Sequence, residues 1–132
     1  MANDTQGLTK ASQAEAVRAF SRCLGLDPQG QATPESAAAA GELFKLCGPG
    51  GLVVMSVAFD PGGVAWIHAA AGQGQGMTAP ALACVERLAA QRECHAVEFQ
   101  TLRAGLVRLA ERSGYRRAAP IGAGVIMQKA IT

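Results

Sequence analysis

Aromatic residues are scarce in this chain: 5% of 132 residues, with one Trp and one Tyr. A core must therefore rest on Ala, Val, Leu and Ile, and a hydrophobic content of 49% is enough for one at this length. An excess of one charge is missing too. The net charge is +2, short of the clustered basic face that nucleic-acid binding requires. Arg103, Arg108, Arg112, Arg116 and Arg117 gather late in the chain and read first as a solvated face. Cys23, Cys47, Cys84 and Cys94 form no C-x-x-C pair, and no His stands at a zinc-like spacing from two of them, so no metal site is expected. Cys23, Cys47 and Cys84 fall on expected apolar helix faces. They read as buried free thiols, which suits a reducing, cytoplasmic setting. No apolar run reaches membrane length and no leader-type segment opens the chain, so neither a span nor a signal peptide is expected.

What is present is a set of punctuated apolar segments in one expected domain over 12–132. Residues 1–11 are polar and aperiodic and read as a flexible arm without a strand. Ser12 and Glu15 make a capping box for a first helix carrying Val17, Phe20 and Leu24, with Gly25 at its end. Asp27 to Ala32 reads as a loop. Thr33-Pro34-Glu35 starts a second helix, expected to run through Ala37, Ala40, Leu43, Phe44 and Cys47 until Gly48-Pro49-Gly50 stops it. The arrangement predicts two helices over 12–48. Leu52–Phe59 is apolar on both faces and reads as a central strand. It turns at Asp60-Pro61-Gly62-Gly63 and pairs with a strand over Val64–His68. A helix over Ala81–Arg92 follows, then a strand at Ala96–Phe99. A last helix from about Leu102 to Ser113 points Leu102, Leu106, Leu109 and Ala110 inward and ends at Gly114. Two closing strands, Tyr115–Arg117 and Val125–Gln128, flank a turn at Pro120–Gly124. This order implies an α+β fold: a mixed, mostly antiparallel central sheet flanked by helices.

Between the Val64–His68 strand and its helix lies Gly72-Gln73-Gly74-Gln75-Gly76-Met77-Thr78-Ala79. Glycines there let backbone approach a ligand. The helix start behind them offers unpaired N–H groups and a positive dipole end, which together suit a phosphate-bearing cofactor. Pro80 fits the first helical turn. Gly74 to Ala79 also satisfies G-x-G-x-x-G/A, with Glu98 placed as a dinucleotide fold would place its ribose acid. Too few βα units follow, and the antiparallel hairpin before the motif opposes that alternative.

The stretch from about Leu52 to Ile131 resembles the GCN5-related N-acetyltransferase (GNAT) superfamily. Gln73-Gly74-Gln75-Gly76-Met77-Thr78 looks like its acyl-CoA loop, Q/R-x-x-G-x-G/A, with Gln73 and Gly76 in register. Leu106 to Arg116 is similar to its late helix, which often reads I-x-L-Y-E-x-x-G-F, and Val125 to Lys129 resembles its closing strand. The resemblance implies an acyl-CoA N-acyltransferase fold and transfer of an acetyl group from acetyl-CoA, as cosubstrate, directly to an amine on a small molecule or peptide. It implies that Gln73, Gly74, Gln75, Gly76, Met77 and Thr78 hold the pyrophosphate and that Ile67 and His68 hold pantetheine through their backbone. Thr78 stands where the family has a second Gly or Ala, Ala110 where it often has a proton-donating Tyr, and Arg103 where it often has Asn. The alternative is a catalytically degenerate member acting as a CoA-binding, regulatory or assembly module.

His68 and Glu98 are the candidate general bases, being titratable groups on the strands beside the loop. The simpler reading of each is a rim imidazole and a salt-bridged strand carboxylate. Tyr115 is expected to pack as a core aromatic, Cys84 as a core thiol and Trp66 as an apolar anchor. The acceptor stays open, as does a homodimer.

Overall fold

A computed structural model describes residues 8–22, 33–74 and 76–131, without the side chains of Gln73 and Gly74. The elements run β1 (Leu8–Lys10), α1 (Gln13–Ser21), α2 (Pro34–Ala39), β2 (Glu42–Gly48), β3 (Gly51–Phe59), β4 (Val64–Gly74), α3 (Thr78–Gln91), β5 (Ala96–Thr101), α4 (Ala104–Arg112), β6 (Arg116–Ile121) and β7 (Gly124–Ala130). The strands form one seven-stranded sheet in the order β1-β2-β3-β4-β5-β7-β6. Only the β4–β5 pair is parallel, because α3 crosses over between them. The sheet is mixed and mostly antiparallel, as expected.

Alternation along the strands sorts side chains onto two faces. On one face Val53, Met55, Val57, Ala65, Ile67, Val97, Phe99 and Met127 pack against Leu82, Val85 and Leu88 of α3 and Val107 and Ala110 of α4. On the other, Val54 and Ala71 pack against Ala16, Ala19 and Phe20 of α1 and Ala38 of α2. Both cores lean on small residues, which brings helix backbones close to the sheet.

Local signals set most helix ends. Ser12 and Glu15 form the expected capping box, and Thr33 with Ser36 forms a second, with Pro34 in the first turn of α2. Gly114 follows α4 with φ +97°, the conformation that favours glycine after a helix.

Five expectations are corrected. The second helix ends at Ala39, and Leu43, Phe44 and Cys47 lie on β2, where Phe44 and Leu46 point into the α3-side core. Gly48-Pro49-Gly50 is thus part of a hairpin connection rather than a helix stop, with Gly48 paired to Gly51. Cys47 is exposed, while Cys84 is buried. Residues 8–10 of the supposed arm form β1, zipped onto β2 with Leu8 opposite Leu46. Leu102 is 41% exposed, because α4 starts two residues later and its inward stripe begins at Leu106. The expectations for residues 1–7, Cys23, Leu24, Gly25 and Asp27–Ala32 lie outside the described residues.

Candidate functional site

The β4 strand creates the site by doing two things at once. It carries one residue too many, and it outlasts its partner. Opposite β3, Ser56 faces Ala69 while Val57 faces Ile67, so His68 is the extra residue of a β-bulge. A bulge bends its strand and raises its local twist. Pairing with β5 covers Val64 to Ile67 and ends at Ile67–Phe99, yet β4 continues to Gly74. Among the described residues, no strand lies on the β5-facing edge of β4 from His68 onward, which leaves its backbone groups able to pair with an extended ligand.

The parted strands open a cleft of about 240 Å³ on the α3–α4 face. Met55, Ile67, Leu82, Phe99 and Leu106 make its apolar walls, and His68, Thr78, Gln100, Thr101 and Arg103 bring polar groups to it. Gly76 and Met77 close the end at the start of α3.

That helix start differs from those of α1 and α2. The N-cap residue Met77 makes no side-chain cap, and Pro80 in the first turn has no N–H. This helix start, with its dipole end worth about half a positive charge, lies at the cleft, whose lining includes Met77 and Thr78. Gly76 has φ +73°, and a Cβ built there meets nothing within 4 Å, so the space in front of it is open to a ligand. The geometry and chemistry fit a phosphate chain followed by an extended, partly apolar arm.

The glycine segment is only partly a loop. Gly72, Gln73 and Gly74 are still in β4, paired with Val53, Leu52 and Gly51. Met77 is buried, and its side chain packs toward Gly48 on the β2–β3 turn, leaving only its backbone for a ligand. Gln75 lies outside the described residues. The structure brings Ile67, His68, Gly76, Met77 and Thr78 together at one cleft.

The exposed His68 imidazole sits on the cleft edge, in edge contact with Trp66 at 6.2 Å between ring centres. The surrounding walls desolvate it, which pushes its pKa below the ordinary value of 6.5. It is therefore neutral and able to accept a proton near pH 7. Glu98 is not brought into the cleft. Its neighbours Val97 and Phe99 face the α3–α4 core, so Glu98 points to the opposite face, where Gln128 Nε2 donates to its Oε2 at 2.6 Å.

The late helix offers no acid at the expected place. Ala110 is completely buried in the core. Tyr115 is buried as expected, with its ring edge-on to Phe99 and its hydroxyl donating to Glu86 Oε2 at 3.0 Å. Burial, then the adjacent Glu86 carboxylate, push the phenol pKa far up, so it stays protonated and locked in structure. Arg103 is the group that sequence reasoning undervalued. Thr101 Oγ1 accepts from Arg103 N–H at 3.0 Å, which holds the residue at the cleft. No ion pair engages its guanidinium among the described residues.

No protein-family model matches the chain, and no curated protein matches it. Solved structures do. One is the ribosomal-protein-S18-alanine N-acetyltransferase from Escherichia coli, with TM-score 0.70 at 14% identity over 95% of this chain and 93% of that one. Another is an IAA acetyltransferase from Bacillus cereus, with TM-score 0.68 at 12% identity over 93% of this chain and 97% of that one. A third, assigned to the GNAT family, comes from Desulfovibrio desulfuricans, with TM-score 0.70 at 13% identity over 95% and 98% of the two chains. The chain has the GNAT, or acyl-CoA N-acyltransferase, fold.

Proposed function

We propose that this protein is an N-acetyltransferase that binds acetyl-CoA in the β4–β5 cleft and passes the acetyl group directly to an amine. The observation that carries this reading is the coincidence, in one cleft, of an unpaired strand edge, an uncapped helix start and the open space at Gly76. An anion at the helix start and an extended amide-bearing arm along the strand are what those features complement. Neighbours of this fold named as acetyltransferases support it.

Gly76, Met77 and Thr78 would hold the pyrophosphate through backbone N–H groups, with Gln73, Gly74 and Gln75 leading into them. Thr78 adds a hydroxyl at the cleft, within the role a second glycine or alanine has in the family. Ile67 and His68 would hold pantetheine through their backbone at the point where β5 departs. Arg103 approaches from the β5 side and adds a cation to the same cleft. His68 is the base. The amine nitrogen attacks the thioester carbon, the C–S bond breaks, and the amine proton goes to the imidazole. The departing thiolate takes its proton from water, since Ala110 leaves no phenol at the usual position.

An acetyl-CoA thiol-release assay against a panel of amines tests the reading. Release that depends on both substrates is expected. A protein that binds acetyl-CoA but releases no thiol with any amine is the degenerate binding module instead.

A further inference from the structure

The sheet face opposite the cleft carries a second group of residues that the transfer chemistry does not use. Trp66 and Glu98 are direct partners in the parallel β4–β5 register. Both lie on the face away from α3 and α4, because Ala65, Ile67, Val97 and Phe99 between them fill that core. Trp66 belongs to neither core cluster, although it is the largest apolar side chain in a chain short of aromatics. Glu98 is partly buried and held in place by a ladder across three strands: Gln128 Nε2 donates to Glu98 Oε2, and Arg116 Nη2 donates to Gln128 Oε1. The amide of Gln128 spaces Arg116 from Glu98, and no ion pair engages the carboxylate among the described residues. His68 lies two residues beyond Trp66, touching its ring, where the strands part and the cleft on the other face begins.

An aromatic face and a fixed carboxylate side by side form a receptor for an organic cation. Adjacent strands lie about 4.8 Å apart and residues rise about 3.3 Å each. The Glu98 position is therefore roughly 8 Å from that of His68, too far for one nitrogen to serve both. We propose that Trp66 and Glu98 bind a second positive centre on the acceptor, which makes the acceptor a cationic diamine or a similar doubly basic amine rather than a simple monoamine. This rests on the acetyltransferase reading above. The charged nitrogen is anchored between the indole and the carboxylate. The other nitrogen, neutral, reaches the thioester beside His68, forms the N–C bond as C–S breaks, and gives its proton to the imidazole. Gln128 is a positioning residue: it fixes the Glu98 carboxylate and touches no substrate.

The test compares kcat/KM for diaminobutane and butylamine at saturating acetyl-CoA, in the wild type and in Glu98→Gln. That variant keeps an oxygen to accept from Gln128 and removes only the charge. The wild type is expected to prefer the diamine by about tenfold or more. Glu98→Gln is expected to erase that preference by raising KM for the diamine about tenfold, with butylamine turnover and acetyl-CoA affinity unchanged. Trp66→Leu should weaken the preference in the same direction. Equal use of both amines by the wild type overturns the inference, as does no turnover of either, or a Glu98→Gln loss that falls on both amines alike. A wild type that does not bind acetyl-CoA overturns the acetyltransferase reading itself, which is a separate and earlier result.

Discussion

His68 owes its place to a single inserted residue. Without the bulge it would simply alternate with Ile67; with it, the imidazole reaches the cleft edge just where β5 leaves. Desolvation lowers its pKa, so the neutral form is favoured in the folded protein. The sign follows directly: any stability tied to this group is present above pH 6.5 and lost as pH falls through its lower folded value. The rate should follow the same group. A kcat/KM profile is expected to fall on the acid side with an apparent pKa below 6.5, and His68→Gln is expected to lower kcat by about 100-fold and abolish that limb. A wild-type acid limb retained unchanged in His68→Gln would assign the base elsewhere. Ser56 poses a different question at this scale. It is fully buried opposite Ala69, and its Oγ has no hydrogen-bond partner among the described residues. Ser56→Ala is therefore expected to leave stability unchanged or raise it by about 1 kcal/mol in urea unfolding. A clear loss would reveal a partner for that hydroxyl.

At the scale of elements, the helix that follows β5 decides what the site lacks. Ala110 is sealed between α4 and the sheet, in a core where Phe99 and Tyr115 already occupy the space nearby. Putting the missing phenol back should not restore an acid. Ala110→Tyr is expected to destabilise the fold by about 1–3 kcal/mol or more through overpacking, with no gain in kcat. A faster, equally stable variant would show that the cleft extends to that position. Elements with strong local signals were legible from sequence: the Ser12–Glu15 capping box, the Thr33-Pro34 helix start, the β3–β4 hairpin, the Gly114 stop and the Pro80 turn each depend on residues close in the chain. The errors came from tertiary context. Leu43, Phe44 and Cys47 have helical spacing after a strong helix start, but pairing with β3 takes Glu42–Gly48 into the sheet. Leu8–Lys10 is too short to announce itself and exists because β2 offers an edge. Of the cleft, Gly76, Thr78 and His68 had local marks in the sequence. Its β5 and α4 wall had none, because the length over which two distant strands stay paired leaves no local mark.

At the scale of the whole molecule, carboxylates tie the layers together. Glu42 on β2 bonds to Arg92 at the end of α3 and to Lys10 on β1, and its pKa is lowered to about 2, chiefly by Arg92. Glu15 in α1 accepts from Lys45 on β2 at 2.6 Å and is likewise lowered to about 2, chiefly by Lys45. Folded values below the ordinary 4.5 mean stability that is present above pH 4.5 and lost as pH falls toward 2. Both pairs are at least partly exposed, so the loss should be modest and salt-sensitive. Urea midpoints are expected to drop across that interval, and Glu42→Gln to flatten part of the drop. An identical pH dependence in the variant would remove Glu42 from the account.

The same sheet that these pairs brace holds β4 and β5 together at one end and apart at the other, and the account depends on what enters the gap. Calorimetric titration of acetyl-CoA into the wild type and Gly76→Val tests this most directly. A branched side chain at φ +73° is strained and projects into the open space before α3. The expected result is binding near micromolar by the wild type, weakened at least about tenfold in a Gly76→Val protein that keeps its circular dichroism. No binding to the wild type at millimolar acetyl-CoA, or equal affinity in the variant, would contradict the placement of the cofactor in this cleft.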